Sequence, residues 1–196
     1  MGLLILALSG CSGSDSTSAV DLSALISRLE EGDLLFRRGT GVVGRVVTSV
    51  DSRGDYSHVG IVVWHDSLWQ VVHAVPHEHD FEGDFDRVKI ESVERFLGRY
   101  PEAKFGHYRV AIGRDSIARA VSNALRLSVL RVPFDHDYDL DDTTRLYCTE
   151  FVEYVYSFAG VELSEGRRTD VNFPSMSGLY IMPSDLTESS LLTPIY

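Results

Sequence analysis

The sequence has almost no cysteine. Among 196 residues there are two, Cys11 and Cys148, in surroundings so different that a disulfide between them is not expected. Clusters of Lys and Arg are absent as well. The chain carries 18 basic and 29 acidic residues, a formal net charge of -11. Without basic clusters it has nothing to neutralise a phosphate backbone, which excludes nucleic acid as a partner. The same lack excludes adhesion to an anionic membrane by charge alone. No apolar run approaches the roughly 20 residues that a membrane-spanning helix needs. Repeats are absent. No second linker interrupts residues 21–196, so they read as one domain, long enough to bury a core.

What is there begins with a short apolar run, MGLLILALSG, ending in small residues before Cys11. It reads as the end of a secretory signal. Leu8-Ser9-Gly10-Cys11 resembles the bacterial lipobox, in which the cysteine is lipidated. No Lys or Arg precedes the run, which departs from that pattern. The resemblance implies a lipid anchor at Cys11. With Ser12 next, it further implies the cell envelope, at the outer membrane facing the periplasm. Residues 12–20 are small and polar, a flexible tether between anchor and domain.

Beyond the tether, Asp21 caps a helix carrying Leu22, Leu25, Ile26 and Leu29, which Gly32 ends. Asp33 to Phe36 is a buried strand, and Gly41 to Val50 a helix. Tyr56 to Trp64 and Trp69 to Pro76 form a hairpin turning at residues 65–68. Arg87 to Glu91 is a strand, Ser92 caps a short helix through Leu97, and Phe105 to Ile112 is a further strand. Asp115 opens a long amphipathic helix, and Tyr147 to Ala159 is the last clear one. The segment after Gly160 reads as loop-rich, with Pro174, Pro183 and Pro194. Helices with a mostly antiparallel sheet, partly segregated along the chain, give an α+β fold.

Cys148 shares the apolar stripe of its helix with Phe151, Val152 and Val155. It sits at the helix N-terminus, where unsatisfied N–H groups favour a thiolate and can hold an oxyanion. A nucleophile needs that setting, and a small core cysteine also fits the position. In the hairpin, pairing Trp64 with Trp69 puts His58 and His73 on one face as diagonal neighbours, about 7–8 Å apart at Cα. One ring can then act as base while the other fixes its tautomer. Two half-exposed strand histidines are the plain alternative. Both rings adjoin apolar runs, so they need a polar partner, and a cysteine on a packed helix would supply one.

Gly32 to Phe36, Ser57-His58-Val59-Gly60-Ile61, Val71-Val72-His73-Ala74 and Tyr147-Cys148-Thr149-Glu150-Phe151, in that order, resemble the YiiX/YebB-like permuted papain-like cysteine hydrolases of the NlpC-type superfamily. In the permuted group the histidine precedes the cysteine, as here. The resemblance runs from about Gly32 to residues 182–186. It implies a mostly antiparallel sheet packed against helices, with Cys148 as nucleophile, His58 as general base and His73 in the third, orienting position. That position is more often Glu in the YiiX-like branch, and His in the lecithin–retinol acyltransferase-like branch. Tyr147, Thr149 and Glu150 flank the nucleophile as candidates for substrate or oxyanion contacts. Asp33 matches a motif position at the turn into the first strand.

The expected chemistry needs no cofactor and no metal. Cys148 attacks an amide in a cell-wall peptide or peptide-like substrate and passes through an acyl-enzyme. The main alternative is a lipid acyl ester or thioester hydrolase or acyltransferase. A non-catalytic peptide-binding lipoprotein is a third reading. Two metal readings are weaker. His73, His77 and His79, with Glu78 and Asp80, lack a second ligand pair at zinc spacing. Asp135, Asp137, Asp139, Asp141 and Asp142 lack the glycine of a calcium loop. A solvated acidic loop, or one that favours a cationic substrate group, suits those aspartates better.

Overall fold

The computed structural model describes residues 22–100, 104–173 and 176–195. Cys11, the apolar run, the tether and the Asp21 cap lie outside the described residues. In chain order the elements are α1 (Leu22–Ile26), β1 (Leu34–Arg37), α2 (Val42–Val50), β2 (His58–His65), β3 (Leu68–Val75), β4 (Arg87–Ser92), α3 (Val93–Gly98), β5 (Phe105–Val110) and α4 (Arg114–Val129). Then come α5 (Cys148–Ser157), β6 (Thr169–Phe173), β7 (Met176–Tyr180), α6 (Pro183–Thr187) and β8 (Leu192–Pro194). Six strands form one antiparallel sheet in the order β4-β3-β2-β1-β5-β8. This is the α+β architecture that the hydrophobic pattern implied.

Period-two alternation builds two cores. Leu34, Phe36, Val59, Ile61, Val63, Val72 and Ala74 face one way, onto α4 and α5. Leu35, Val62 and Val71 face the other, onto α1 and α3 through Leu25, Leu29, Phe96 and Leu97. Ser92 caps α3, its Oγ accepting from Arg95 N at 3.2 Å. The β2–β3 turn places Asp66 and Ser67 at φ 50° and 62°, the left-handed pair of a tight hairpin turn. Trp64 pairs with Trp69 as the alternation requires.

The segment after Gly160 is more ordered than its proline content suggests. β6 and β7 make a small hairpin of their own, and β8 adds to the edge of the main sheet. β6 and β7 expose most of their side chains, among them Phe173 and Leu179, so no buried alternation marks them in the sequence.

Asp33 is more than a turn residue. Its carboxylate accepts from His107 Nε2 at 2.6 Å, from Arg109 Nε and Nη2 at 3.0 and 3.1 Å, and from Glu30 N at 2.8 Å. It ties the turn before β1 to the neighbouring strand β5. Those donors hold its carboxyl below the ordinary range against the opposing effect of burial.

Candidate active site

Tyr147, in extended conformation, stands at the N-cap of α5, so Cys148 is the first helical residue. Both flanking side chains are engaged by one backbone unit. Tyr147 Oη accepts from Ile181 N at 3.0 Å, and Thr149 Oγ1 donates to Ile181 O at 2.6 Å. Glu150 Oε2 accepts from Tyr147 N at 3.2 Å and completes the helix start. All three side chains are buried and fix the helix end. What faces the thiol is backbone N–H, from Thr149, Val59 and Cys148 itself.

The approach of Val59 has a structural cause. Val62 N donates to Asp33 O, so even-numbered residues of β2 point their N–H at β1 and odd-numbered ones toward β3. The β2–β3 ladder, however, runs only from His65↔Leu68 to Ile61↔Val72. Past that point the Val59 N–H has left the ladder, and the thiol of half-buried Cys148 takes it up. The nucleophile candidate thus lies at the open end of the hairpin, one residue along from His58.

The helix N-terminus does not make this thiol acidic. The three N–H groups and Arg37 pull its pKa down, but desolvation outweighs them and pushes it up to about 11. Dipole and burial oppose each other at this position, and burial wins. Glu150 is also pushed up, to about 8, by burial, with further contributions from Asp135, Asp139 and Asp142.

His58 and His73 meet as the hairpin predicts. His58 Nε2 and His73 Nδ1 are 2.7 Å apart, and both rings are buried. They lie on the α3 face and pack against Phe96, at 5.7 and 5.2 Å between ring centroids. Burial holds His58 well below the usual imidazole range, and the charge of Arg37 lowers it further. Burial also lowers His73, against the pull of Glu91. Two residues at this site escaped the sequence reading. Arg37, paired with His58 across β1–β2, lies over Phe96 and donates to the Phe96 carbonyl. Glu91 Oε1 lies 3.3 Å from His73 Nε2.

Gly60 allows the hairpin to close here. A Cβ at that position would stand 2.4 Å from Val71 Cγ1 and 3.0 Å from His73 Cβ. Gly60→Ala should therefore push β3 outward and destabilise the fold by about 1–3 kcal/mol. Urea denaturation checks this, and an unchanged midpoint would mean that β2 and β3 tolerate the extra atom.

His58 opens onto a cavity of about 470 Å3 lined by Arg37, Tyr100, Val42, Val43 and Pro76 among others. A second cavity, of about 360 Å3, lies between α2 and residues 136–138. Val42 and Val43 line both. Neither metal reading from the sequence assembles. His73 is buried in the sheet, whereas His77 and His79 sit at the surface beside Asp86. In the acidic loop, Asp135 accepts from the N–H groups of Asp137 and Asp139, and Arg145 pairs with Asp137 and Asp142.

A search of solved structures finds metalloprotein yiiX from Escherichia coli O157:H7, with a TM-score of 0.68 and 20% identity over 85% of this chain and 96% of that one. At that identity the likeness shows the fold. Its description as a metalloprotein can be tested against the residues present here. Among the described residues, His73, Glu78 and Glu91 bring ligand-type atoms together, all buried. Both carboxylates are already engaged. Arg37 and Arg99 hold Glu78, while Lys89, Arg95 and Arg99 surround Glu91. Four cations already face two carboxylates, so a divalent ion does not fit. No curated protein matches the chain by sequence. A family model does, over residues 28–187: permuted papain-like amidase enzyme, YaeF/YiiX, C92 family. With its helix-borne cysteine after its paired strand histidines, the chain belongs to the permuted papain-like cysteine amidases of the YaeF/YiiX family.

Proposed function

We propose that this amidase cleaves an amide bond in a cell-wall peptide or a peptide-like molecule, with Cys148 as nucleophile, His58 as general base and His73 orienting that base. The observation that carries the reading is that Cys148, first residue of α5, takes the N–H of Val59, the residue next to His58, whose ring is 2.7 Å from His73.

His58 takes the thiol proton as sulfur attacks the carbonyl carbon. The oxyanion forms beside the N–H groups at the start of α5. The C–N bond breaks, and His58 gives its proton to the leaving amine. Water then attacks the thioester while His58 accepts a proton from it, and the acid leaves with the thiol restored. Both partners begin neutral. No thiolate waits in the resting site, so base catalysis must accompany attack.

One observation favours a second reading. The valines of α2 line both cavities beside the site, an apolar wall suited to an acyl chain in an ester or thioester. Digestion of purified muropeptides, followed by mass spectrometry, separates the two. New amines and shortened peptides, with acyl lipids untouched, support the amide reading. Released fatty acid with intact peptides would overturn it.

The lipid anchor at Cys11 and a place at the outer membrane facing the periplasm belong to the same proposal. They are supported by the lipobox-like Leu8 to Cys11 and the polar tether. The reading needs peptide or acyl substrate and the membrane as partners, with no cofactor and no nucleic acid.

A further inference from the structure

We infer that Glu91 is a positioning residue that sets the tautomers of His73 and His58 in series, so that His58 acts on Cys148 through Nδ1. This rests on the reading of Cys148 and His58 as nucleophile and base.

Glu91 is buried in β4. Burial raises its carboxyl, but His73, Lys89 and Arg99 together bring it down to about 2. A carboxylate only accepts hydrogen bonds. Its Oε1 and His73 Nε2 are 3.3 Å apart, and neither atom has another hydrogen-bond partner. His73 Nε2 must therefore carry a proton toward Glu91. Burial keeps His73 neutral at pH 7, so its Nδ1 has only a lone pair. His58 Nε2 faces that lone pair at 2.7 Å and must be the donor. The remaining nitrogen of neutral His58, Nδ1, is then the free base. Each assignment forces the next.

The charges around the relay make Glu91 hard to replace. Arg37 from β1 and Arg99 after α3 disfavour a proton on His58. Lys89 from β4 and Arg95 from α3 crowd Glu91 itself. Glu78, between β3 and β4, is drawn onto Arg37 and Arg99. Glu91 is the anion that touches the imidazole pair.

Glu91→Gln is the informative change. Lys89, Arg95 and Arg99 are all donors, so they hold the new amide by its oxygen and leave NH2 facing His73 Nε2. His73 must then shift its proton to Nδ1, and His58 presents N–H instead of a lone pair to Cys148. The measurement pairs 15N imidazole spectra with iodoacetamide labelling of Cys148, with melting temperature as a control for folding. Expected are Nε2–H tautomers on both rings in the wild type. In Glu91→Gln, Nδ1–H signals should appear and labelling at neutral pH should fall at least about 100-fold. An Nδ1–H tautomer on His73 in the wild type overturns the inference, as does a folded Glu91→Gln protein with an unaltered pH profile. If Glu91→Gln does not fold, the wild-type spectrum still decides. Loss of the nucleophile reading shows separately, as wild-type labelling indifferent to His58→Ala.

Discussion

Alanine at Cys148 is expected to lower amide hydrolysis by roughly 10^4- to 10^6-fold, the usual cost of removing a covalent nucleophile. The fold should survive, because the thiol is small and half-buried. Purified wild type and Cys148→Ala, assayed on the same peptide amide, check it. Residual activity within about tenfold of wild type would remove Cys148 from the mechanism. The companion change is His58→Ala, and its signature lies in pH dependence. The thiol, pushed up to about 11 by burial, cannot ionise unaided near pH 7. His58, held well below the ordinary imidazole value, stays neutral across the same range. Wild-type alkylation should therefore be nearly flat from pH 6 to pH 8. In His58→Ala it should be slow and climb about tenfold per pH unit, as expected for direct ionisation. Identical profiles would sink the pairing.

Removing the Asp33 carboxylate is expected to cost the fold about 2–4 kcal/mol, because it strands the buried His107 Nε2 and the half-buried Arg109 guanidinium without their acceptor. Asp33→Ala leaves His107 Nε2 and the Arg109 guanidinium facing an apolar side chain, with Glu30 N–H unsatisfied. For a chain of this size, melting should drop on the order of 10 °C. The pH dependence has a definite sign. Asp33 has a lowered pKa in the folded state, so its contribution is complete above the unfolded value of about 3.9 and is lost as pH falls through the folded one. Asp33→Asn should accordingly lose more stability at pH 7 than near pH 3. Thermal melts across that range measure it, and a pH-independent difference would show that packing, not charge, makes the contribution.

Much of the site was legible where local rules act alone. Alternation put His58 and His73 on one face, and a two-residue turn fixed the register that joins them. Helical spacing and a polar lead-in placed Cys148 at a helix start. Glu91 was not legible, although its strand was. Reaching His73 requires the β3–β4 register, and the connection across residues 76–86 is too long to set one. Arg37 was hidden for a related reason: it closes an apolar strand, and nothing local says that its charge will be buried. The acidity of Cys148 failed differently. The sequence shows the helix N-terminus, whereas the burial that outweighs it comes from packing against the core, which local spacing does not reveal. Tyr147 and Thr149 found their partner in Ile181, far along the chain, which spacing cannot reveal.

The order of the parts along the chain has a consequence for biogenesis. Synthesis runs from the N-terminus, and completed segments begin to fold before later ones emerge. The β2–β3 hairpin carries both histidines and pairs locally, so it can form before α5 is in place. The Cys148 thiol arrives after the base and its partner are assembled, and Ile181, which clamps the nucleophile's helix, arrives later still. Until that last segment docks, a nascent chain holds a base without a positioned nucleophile. On the proposed reading, a chain cut short before Ile181 should lack the backbone unit that holds Tyr147 and Thr149 at the start of α5, and with it a positioned Cys148.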